Sequence, residues 1–289
     1  MKTRLEQTRQ AMRIHGGFSN MLGAALGVRL SRLPLPTRLR PKVYNTLYGG
    51  KYEALDESEL EKPLHEFRSI NELFTRGVRP EKRPLVTDAH RHFTVPCDCT
   101  VQETGLLQDE TILTVKDIEY QLSSLAPTTD TASFANGRYA ILFLSPRDCH
   151  RVFSPQSGTL DSLTHVPGYR LLVHPPYQRR EFPVFTLNER LVMELTTPLG
   201  RCLLIMVAGW GVGHITHPFA TGLRPGSRQC TRVDLPEGRP VSPGDWLATF
   251  ELGSTVVVIT EPRDDLNATI SAGDKLCYGQ SLFQQRPKS

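Results

Sequence analysis

A serine that could act as a nucleophile lies directly after a glycine near the end of the sequence. Ser254 follows Gly253 and leads into the apolar run 256–259. Esterase nucleophiles of the Gly-x-Ser-x-Gly type open a helix, whereas Ser254 lacks the second glycine and precedes a strand-like run. Ser254 is therefore not predicted to be a conventional hydrolase nucleophile. A Gly-Ser-Thr turn entering a strand is also a common structural element, so this serine alone does not establish a function.

Acid–base groups follow two other apolar runs. Asp148, His150 and Arg151 come shortly after the run that ends at Leu144, and Asp98 ends an earlier run. An imidazole exchanges protons near neutral pH, and a neighbouring carboxylate can orient it. These residue types fit general acid–base chemistry. A histidine beside an aspartate is also a common structural pair, so both interpretations remain open.

The composition predicts a folded globular protein. Of the 289 residues, 39% are apolar and 22% are charged, which is typical of chains with a hydrophobic core. The length predicts one elaborated domain or two closely packed ones. Six cysteines without a Cys-x-x-Cys pair predict neither a disulfide framework nor a metal site. The apolar stretches are shorter than the roughly 20 residues of a membrane-spanning helix, and no secretion signal is predicted.

Positive charge is concentrated in the first 42 residues. Nine lysines and arginines there face a single acid, Glu6, although the whole chain carries a net charge of only +4. The apolar residues between them are spaced to give a helix one apolar side. Such a segment can lie on an anionic lipid surface or pack on the body of the protein, and both interpretations remain open. Nucleic-acid binding is not predicted, because the patch lacks interleaved aromatic residues.

The pattern along the chain predicts an α+β fold. We expect a basic, helical, membrane-associating N-terminal region at 1–80, where Ser69 and Glu72 have the spacing of a capping box. We expect a β-rich catalytic domain at 81–289, with a mainly antiparallel β body of barrel-sandwich type. Strands are predicted at 93–96, 111–115, 139–144, 159–166, 190–195, 202–208 and 255–259.

Several motifs, taken together and in order, resemble the phosphatidylserine decarboxylase family over residues 45 to 285. The matching segments are 73–76 (LFTR), 83–84 (RP), 95–98 (VPCD), 144–151 (LSPRDCHR), 166–168 (VPG), 185–190 (FTLNER) and 252–255 (LGST). The resemblance implies a proenzyme that cuts its own chain between Gly253 and Ser254, giving a β chain of 1–253 and an α chain of 254–289. It implies a covalent pyruvoyl cofactor made from Ser254.

The resemblance also implies the reaction and the roles of two further residues. The expected activity is decarboxylation of phosphatidylserine to phosphatidylethanolamine through a Schiff base with the pyruvoyl group. His150 is expected to act near the decarboxylation step, and Asp98 is expected to orient the base that takes the Ser254 proton. The expected location is peripheral, on the cytoplasmic face of a membrane. The expected partners are the lipid substrate and the two chains of the precursor, and a homodimer is left open.

One departure from the family pattern affects self-cleavage. Phe153 stands where the family carries a second histidine, which is credited as the base for cutting the chain. Three interpretations remain open. His150 serves both steps, or another imidazole takes over, with His214 and His217 as substitute bases and His174 as a further candidate. In the third, the chain stays uncut and binds anionic phospholipid without catalysis.

Overall fold

The computed structural model describes most of the chain and leaves short segments undescribed. The described residues are 18–49, 55–108, 112–115, 118–171, 173, 183–209, 215–219, 222–223, 227–251 and 254–287. Gly253, His174 and His214 lie outside them, so the predictions for these three residues stay predictions.

Helices are short and concentrate in the N-terminal part of the described chain. The α-helices are α1 Phe18–Ser31, α2 Arg40–Gly49, α3 Ile70–Phe74, α4 Leu122–Leu125 and α5 Val184–Leu187. The 3-10 helices are Glu57–Glu59, Leu64–Glu66, Pro80–Lys82, Ala89–Arg91 and Ala132–Phe134. No helix in the described ranges is long and apolar enough to span a bilayer.

The predicted capping box opens α3. Ser69 Oγ accepts a hydrogen bond of 3.1 Å from the Glu72 amide, which confirms Ser69 as the N-cap. The Glu72 carboxylate accepts from the amide of Arg68, one residue before the cap. Together these bonds satisfy amide groups that the first turn of a helix leaves unpaired. The capped helix fixes the position of Phe74, whose ring centroid lies 3.9 Å from that of His150.

Strands form most of the remaining structure. They are β1 His92–Thr94, β2 Cys99–Leu106, β3 Ile112–Val115, β4 Ile118–Gln121, β5 Arg138–Leu144, β6 Arg151–Phe153, β7 Gly158–Val166, β8 Arg190–Thr197, β9 Gly200–Ala208, β10 Ile215–Thr216, β11 Thr231–Val241, β12 Trp246–Phe250, β13 Ser254–Thr260, β14 Leu266–Ala268, β15 Lys275–Leu276 and β16 Ser281–Gln285. Every strand pair recorded between them is antiparallel.

An eight-stranded sheet organises the molecule, with the order β11-β7-β8-β9-β13-β5-β2-β15. Smaller sheets have the orders β1-β16-β14, β10-β12-β6 and β3-β4. Antiparallel sheets with few helices confirm the α+β prediction. The barrel-sandwich arrangement, the helical character of the whole 1–80 region and the division at residue 80 stay predictions.

The central strand β13 is buried on both faces. Val256 and Val258 pack into one hydrophobic cluster, while Val257 and Ile259 pack into a second cluster on the other face. Side chains alternate between the faces of a strand, so a strand covered on both sides reads as a continuous apolar run. This burial explains the unbroken run 256–259 and holds Ser254 at a fixed position at the start of the strand.

Candidate active site

Ser254 is wholly buried at one end of the central strand. Its Cα pairs with Leu144, the last residue of β5, and with Ala208, the last residue of β9. The side chain has no exposed surface, and Oγ has no hydrogen-bond partner among the described residues. Buried hydroxyl groups in folded proteins are normally hydrogen-bonded, so an unpaired one needs an explanation. A hydroxyl held here without a partner is available to react.

His150 presents an unpaired ring nitrogen in the same buried region. Its Nδ1 lies 2.9 Å from the carbonyl oxygen of Asp148, which assigns the ring hydrogen to Nδ1 and leaves Nε2 as the acceptor. Nε2 is buried without a partner in the described structure. Burial lowers the pKa of His150 to about 3, and the positive charge of Arg76 acts in the same direction. The ring is therefore neutral at physiological pH.

The connection between β5 and β6 brings His150 to the strand end that carries Ser254. The Asp148 carboxylate accepts a hydrogen bond of 2.6 Å from the amide of Ser145, the residue after Leu144, and closes the turn. Burial raises the pKa of this carboxyl group. Beyond the turn, the His150 carbonyl accepts a hydrogen bond of 3.0 Å from the amide of Phe250. Phe250 lies four residues before Ser254 along the chain.

Asp98 is engaged by an arginine rather than by His150. Its Oδ2 lies 2.8 Å from Arg83 Nη2, and its Oδ1 accepts a hydrogen bond of 2.9 Å from the Tyr278 amide. Arg83 also pairs with Glu59 at 2.8 Å. In the described part of the chain, Asp98 makes no hydrogen bond to His150. The orienting role of Asp98 stays a prediction.

Phe153 fills an apolar corner next to these polar groups. Its ring stacks on Tyr278, with ring centroids 4.0 Å apart, and it packs in a buried cluster with Val78 and Cys149. Burial raises the pKa of the Cys149 thiol to about 12, so Cys149 is a neutral thiol at physiological pH. Neither side chain can accept the proton of a serine hydroxyl there.

His217 and Arg151 lie at other positions around the small β10-β12-β6 sheet. His217 follows β10, where Thr216 pairs with Thr249 of β12, and burial lowers its pKa. Its Nδ1 is buried without a partner among the described residues. Arg151 is half-buried and pairs with Glu61 at 3.1 Å. The charge of Arg151 is therefore paired with Glu61 of the same protein.

A cavity of about 260 Å³ opens beside the buried groups. Its lining includes Arg76, Arg83, Asp98, Asp148 and Cys149. Positive and negative side chains thus face the same space. Ser254 and His150 have no exposed surface and are not among the residues that line the cavity.

Comparison with known proteins gives the family. The family model described as phosphatidylserine decarboxylase matches residues 70–284. A phosphatidylserine decarboxylase proenzyme of Anaeromyxobacter sp. (strain K) is 34% identical over 273 residues, covering 91% of this chain and 93% of that protein. The chain belongs to the phosphatidylserine decarboxylase family. A proenzyme of the same name from Halorhodospira halophila is 38% identical over 208 residues, covering 71% of this chain and 70% of that protein. A third, from Myxococcus xanthus, is 30% identical over 235 residues, covering 81% and 82%.

Within this member of the phosphatidylserine decarboxylase family, Asn188 supports the site in a way that sequence reasoning missed. Its Nδ2 donates to the carbonyls of Ala208 at 2.8 Å and Leu171 at 2.9 Å, while its Oδ1 accepts from the Leu171 amide. Asn188 therefore fixes the end of β9 where Ala208 pairs with Ser254. The 185–190 motif includes Asn188, but the supporting role of Asn188 depends on the strand order, which the sequence does not show.

Arg76 is a second residue of the decarboxylase family motifs without an assigned role. It is only 4% exposed, and it donates to the carbonyls of Leu73 and Arg147. It forms no ion pair with a carboxylate in the described ranges. Its charge lowers the pKa of His150 and so helps to keep that ring neutral. The sequence motif alone could not reveal this electrostatic role, which depends on how close Arg76 lies to His150 in the fold.

Proposed function

We propose that this protein cuts its own chain between Gly253 and Ser254 and then decarboxylates phosphatidylserine to phosphatidylethanolamine. The observation that carries the proposal is the buried, unpaired hydroxyl of Ser254, in the same region as the neutral imidazole of His150. The relatives are named proenzymes, which agrees with a precursor that is cut.

Cleavage follows from the chemistry of a serine hydroxyl next to a peptide carbonyl. Ser254 Oγ adds to the Gly253 carbonyl carbon, the peptide C–N bond breaks, and an ester links the two parts of the chain. Loss of the Ser254 α-proton and of the Gly253 carboxylate leaves a dehydroalanine, which takes up water and releases ammonia to give the pyruvoyl group. Ser254 fits this chemistry, because its strand is buried on both faces and its hydroxyl has no partner among the described residues.

The pyruvoyl group supplies a carbonyl that accepts the substrate amine and withdraws electrons while the carboxylate leaves as carbon dioxide. The remaining requirements fall on side chains of this protein. His150 is proposed to accept a proton at Nε2 from the substrate ammonium group and then to give it to the carbon that loses carbon dioxide, because Nε2 is its free ring nitrogen. The cavity lined by Arg76 and Asp148 is proposed to admit the head group, which carries both signs of charge.

A lipid substrate requires the protein to reach a membrane surface, and the N-terminal helices offer apolar side chains for this purpose. Leu26 and Leu30, four residues apart on α1, are each more than half exposed, and so is Leu33. Basic residues, including Arg29 and Arg38, lie among them. Exposed leucines and cationic side chains together favour adsorption to an anionic bilayer. We therefore propose that the protein binds peripherally to the membrane that carries its substrate.

The experiment compares the wild-type protein with the Ser254→Ala variant on phosphatidylserine vesicles. Carbon dioxide and phosphatidylethanolamine are measured. The wild-type protein is expected to form both products, and Ser254→Ala neither. Ser162→Ala is the matched control, since Ser162 is also buried with an unpaired hydroxyl but lies on β7. It should retain activity. Product formation by Ser254→Ala, or binding of vesicles by wild-type protein without any product, would contradict the proposal.

A further inference from the structure

Self-cleavage needs a group that takes the proton from the Ser254 hydroxyl. We infer that His150 is this base, so that one imidazole serves both self-cleavage and decarboxylation in this protein. The inference rests on the proposed function. It is carried by the position of His150, by its tautomer and by the apolar packing of Phe153.

The other described imidazoles are excluded by their exposure, partners or position. His65 and His90 are exposed. His92 Nδ1 lies 2.7 Å from the Ser281 hydroxyl, in the β1-β16 region. His165 Nε2 pairs with Glu189 at 3.0 Å, and its strand β7 is separated from β13 by β8 and β9. Within the described ranges, His150 and His217 are left as candidates.

Position along β12 distinguishes these two histidines. The strand runs from Trp246 to Phe250 and leads towards Ser254. His150 contacts its far end, because the His150 carbonyl accepts from the Phe250 amide at 3.0 Å. His217 follows Thr216, which pairs with Thr249, and so it lies further back along β12, on the side away from Ser254. His150 is also six residues from Leu144, the direct strand partner of Ser254.

The hydrogen bond at Nδ1 gives His150 the tautomer that a base requires. Because Nδ1–H donates a hydrogen bond to the Asp148 carbonyl, the lone pair is on Nε2, which is buried and has no partner among the described residues. Nε2 can accept the Ser254 hydroxyl proton as Oγ adds to the Gly253 carbonyl carbon. It can then give that proton to the Ser254 nitrogen as the C–N bond breaks, which restores the neutral ring. Histidines in serine hydrolases use one nitrogen for both transfers in the same way.

Among the described residues, the two carboxylates of this region already accept hydrogen bonds or form ion pairs. Asp98 is held by Arg83 and by the Tyr278 amide, and the Asp148 carboxylate by the Ser145 amide. The Phe153 ring packs on Tyr278 and offers no acceptor. The proton transfer is therefore assigned to His150 Nε2.

The test measures the mass of freshly made precursor against time, under denaturing conditions, in four proteins. Wild-type protein and His217→Asn are expected to be cut at similar rates. His150→Asn, in which the side chain cannot accept a proton at that position, is expected to be cut about 100-fold more slowly or not at all. The double variant His150→Asn/Phe153→His is expected to recover cutting without recovering decarboxylation. It has an imidazole at position 153, which can serve cleavage, but none at position 150, which is proposed to serve decarboxylation.

The outcomes separate the inference from the proposed function. If wild-type protein is never cut, the proposed function fails. If wild-type protein is cut and a folded His150→Asn variant is cut within tenfold of the same rate, the inference is overturned. Folding is checked by a cooperative thermal transition. A folded but uncut His217→Asn protein would also overturn the inference. This second variant keeps His150, so it still tests the inference if His150→Asn does not fold.

Discussion

Ser254 and His150 are both buried, and each has a polar side-chain atom without a hydrogen-bond partner among the described residues. An unsatisfied buried polar group costs about 1–3 kcal/mol of stability. Such costs are expected where a group must remain free for a reaction. The two unpaired atoms, Oγ and Nε2, are those that the proposed cleavage uses. This agreement is the main residue-scale support for the account.

The first residue-scale prediction concerns the pH dependence of cleavage. The competent form of His150 is the neutral ring, and burial lowers its pKa to about 3 from an ordinary value near 6.5. The charged side chain acting on the ring is Arg76, and Asp148 contacts it through a backbone carbonyl. The cleavage rate should therefore stay level from pH 8 down to pH 5. Precursor mass measured against time checks this, and a tenfold fall per pH unit below 6.5 would show an unperturbed base.

The second residue-scale prediction concerns the buried ion pair between Arg83 and Asp98. Arg83 and Asp98 have side chains only 7% and 8% exposed. In an uncut Ser254→Ala background, Arg83→Met should lower the free energy of unfolding by about 3–5 kcal/mol, because it leaves a buried carboxylate unpaired. Urea unfolding measures this change.

The matched control for this variant is Arg263→Met. Arg263 pairs with Asp265 at 2.8 Å, but both side chains are substantially exposed. Water screens such a pair, so its loss should leave the free energy of unfolding nearly unchanged. An Arg83→Met chain as stable as this control would mean that Asp98 finds other partners.

At the element scale, the buried strands next to the site were predictable, while some other strands were missed. The run 255–259 predicted β13, and the structure extends it only to Ser254–Thr260. The runs for β5, β8 and β9 were equally clear because these strands are buried. The short strand β6 was missed, since three residues give too little pattern to detect. The Arg83–Asp98 pair was missed as well, because side chains 15 residues apart meet only through tertiary packing.

A tight contact at Gly168 gives an element-scale prediction. A Cβ added there would lie 2.3 Å from the Asn188 carbonyl carbon and 2.4 Å from the Glu189 nitrogen, and these backbone atoms cannot move independently. Gly168→Ala should displace Asn188, and with it the end of β9 that Ala208 shares with Ser254. A lower midpoint of thermal unfolding and a smaller cut fraction are expected.

Gly27→Ala is the control for that change. Gly27 lies on α1, and a Cβ there would meet nothing within 4 Å. Alanine is the better helix former by about 1 kcal/mol, so the midpoint should not fall. If Gly168→Ala behaves like Gly27→Ala in both measurements, the loop at Asn188 does not support the cleavage site.

At the scale of the whole molecule, most of the exposed large apolar side chains lie in the N-terminal segment 26–47, on α1, on α2 and between them. Leu26, Leu30, Leu33, Leu39 and Leu47 are five of eight such residues in the described chain. A Leu26→Ser/Leu30→Ser variant should bind phosphatidylserine vesicles at least about tenfold more weakly, since burying each leucine contributes about 1.5–3 kcal/mol. Vesicle flotation measures the bound fraction. Leu106→Ser, which changes an equally exposed leucine on β2, should bind like wild type. Equal binding by all three proteins would place the lipid contact elsewhere.

Self-cleavage is tested by the intact mass of the purified wild-type protein under denaturing conditions. Two chains are expected, 1–253 and 254–289, and the smaller one should begin with a carbonyl group that reacts with a hydrazine. The Ser254→Ala variant should remain one chain. A wild-type protein that persists as a single chain of 32.4 kDa would contradict the account.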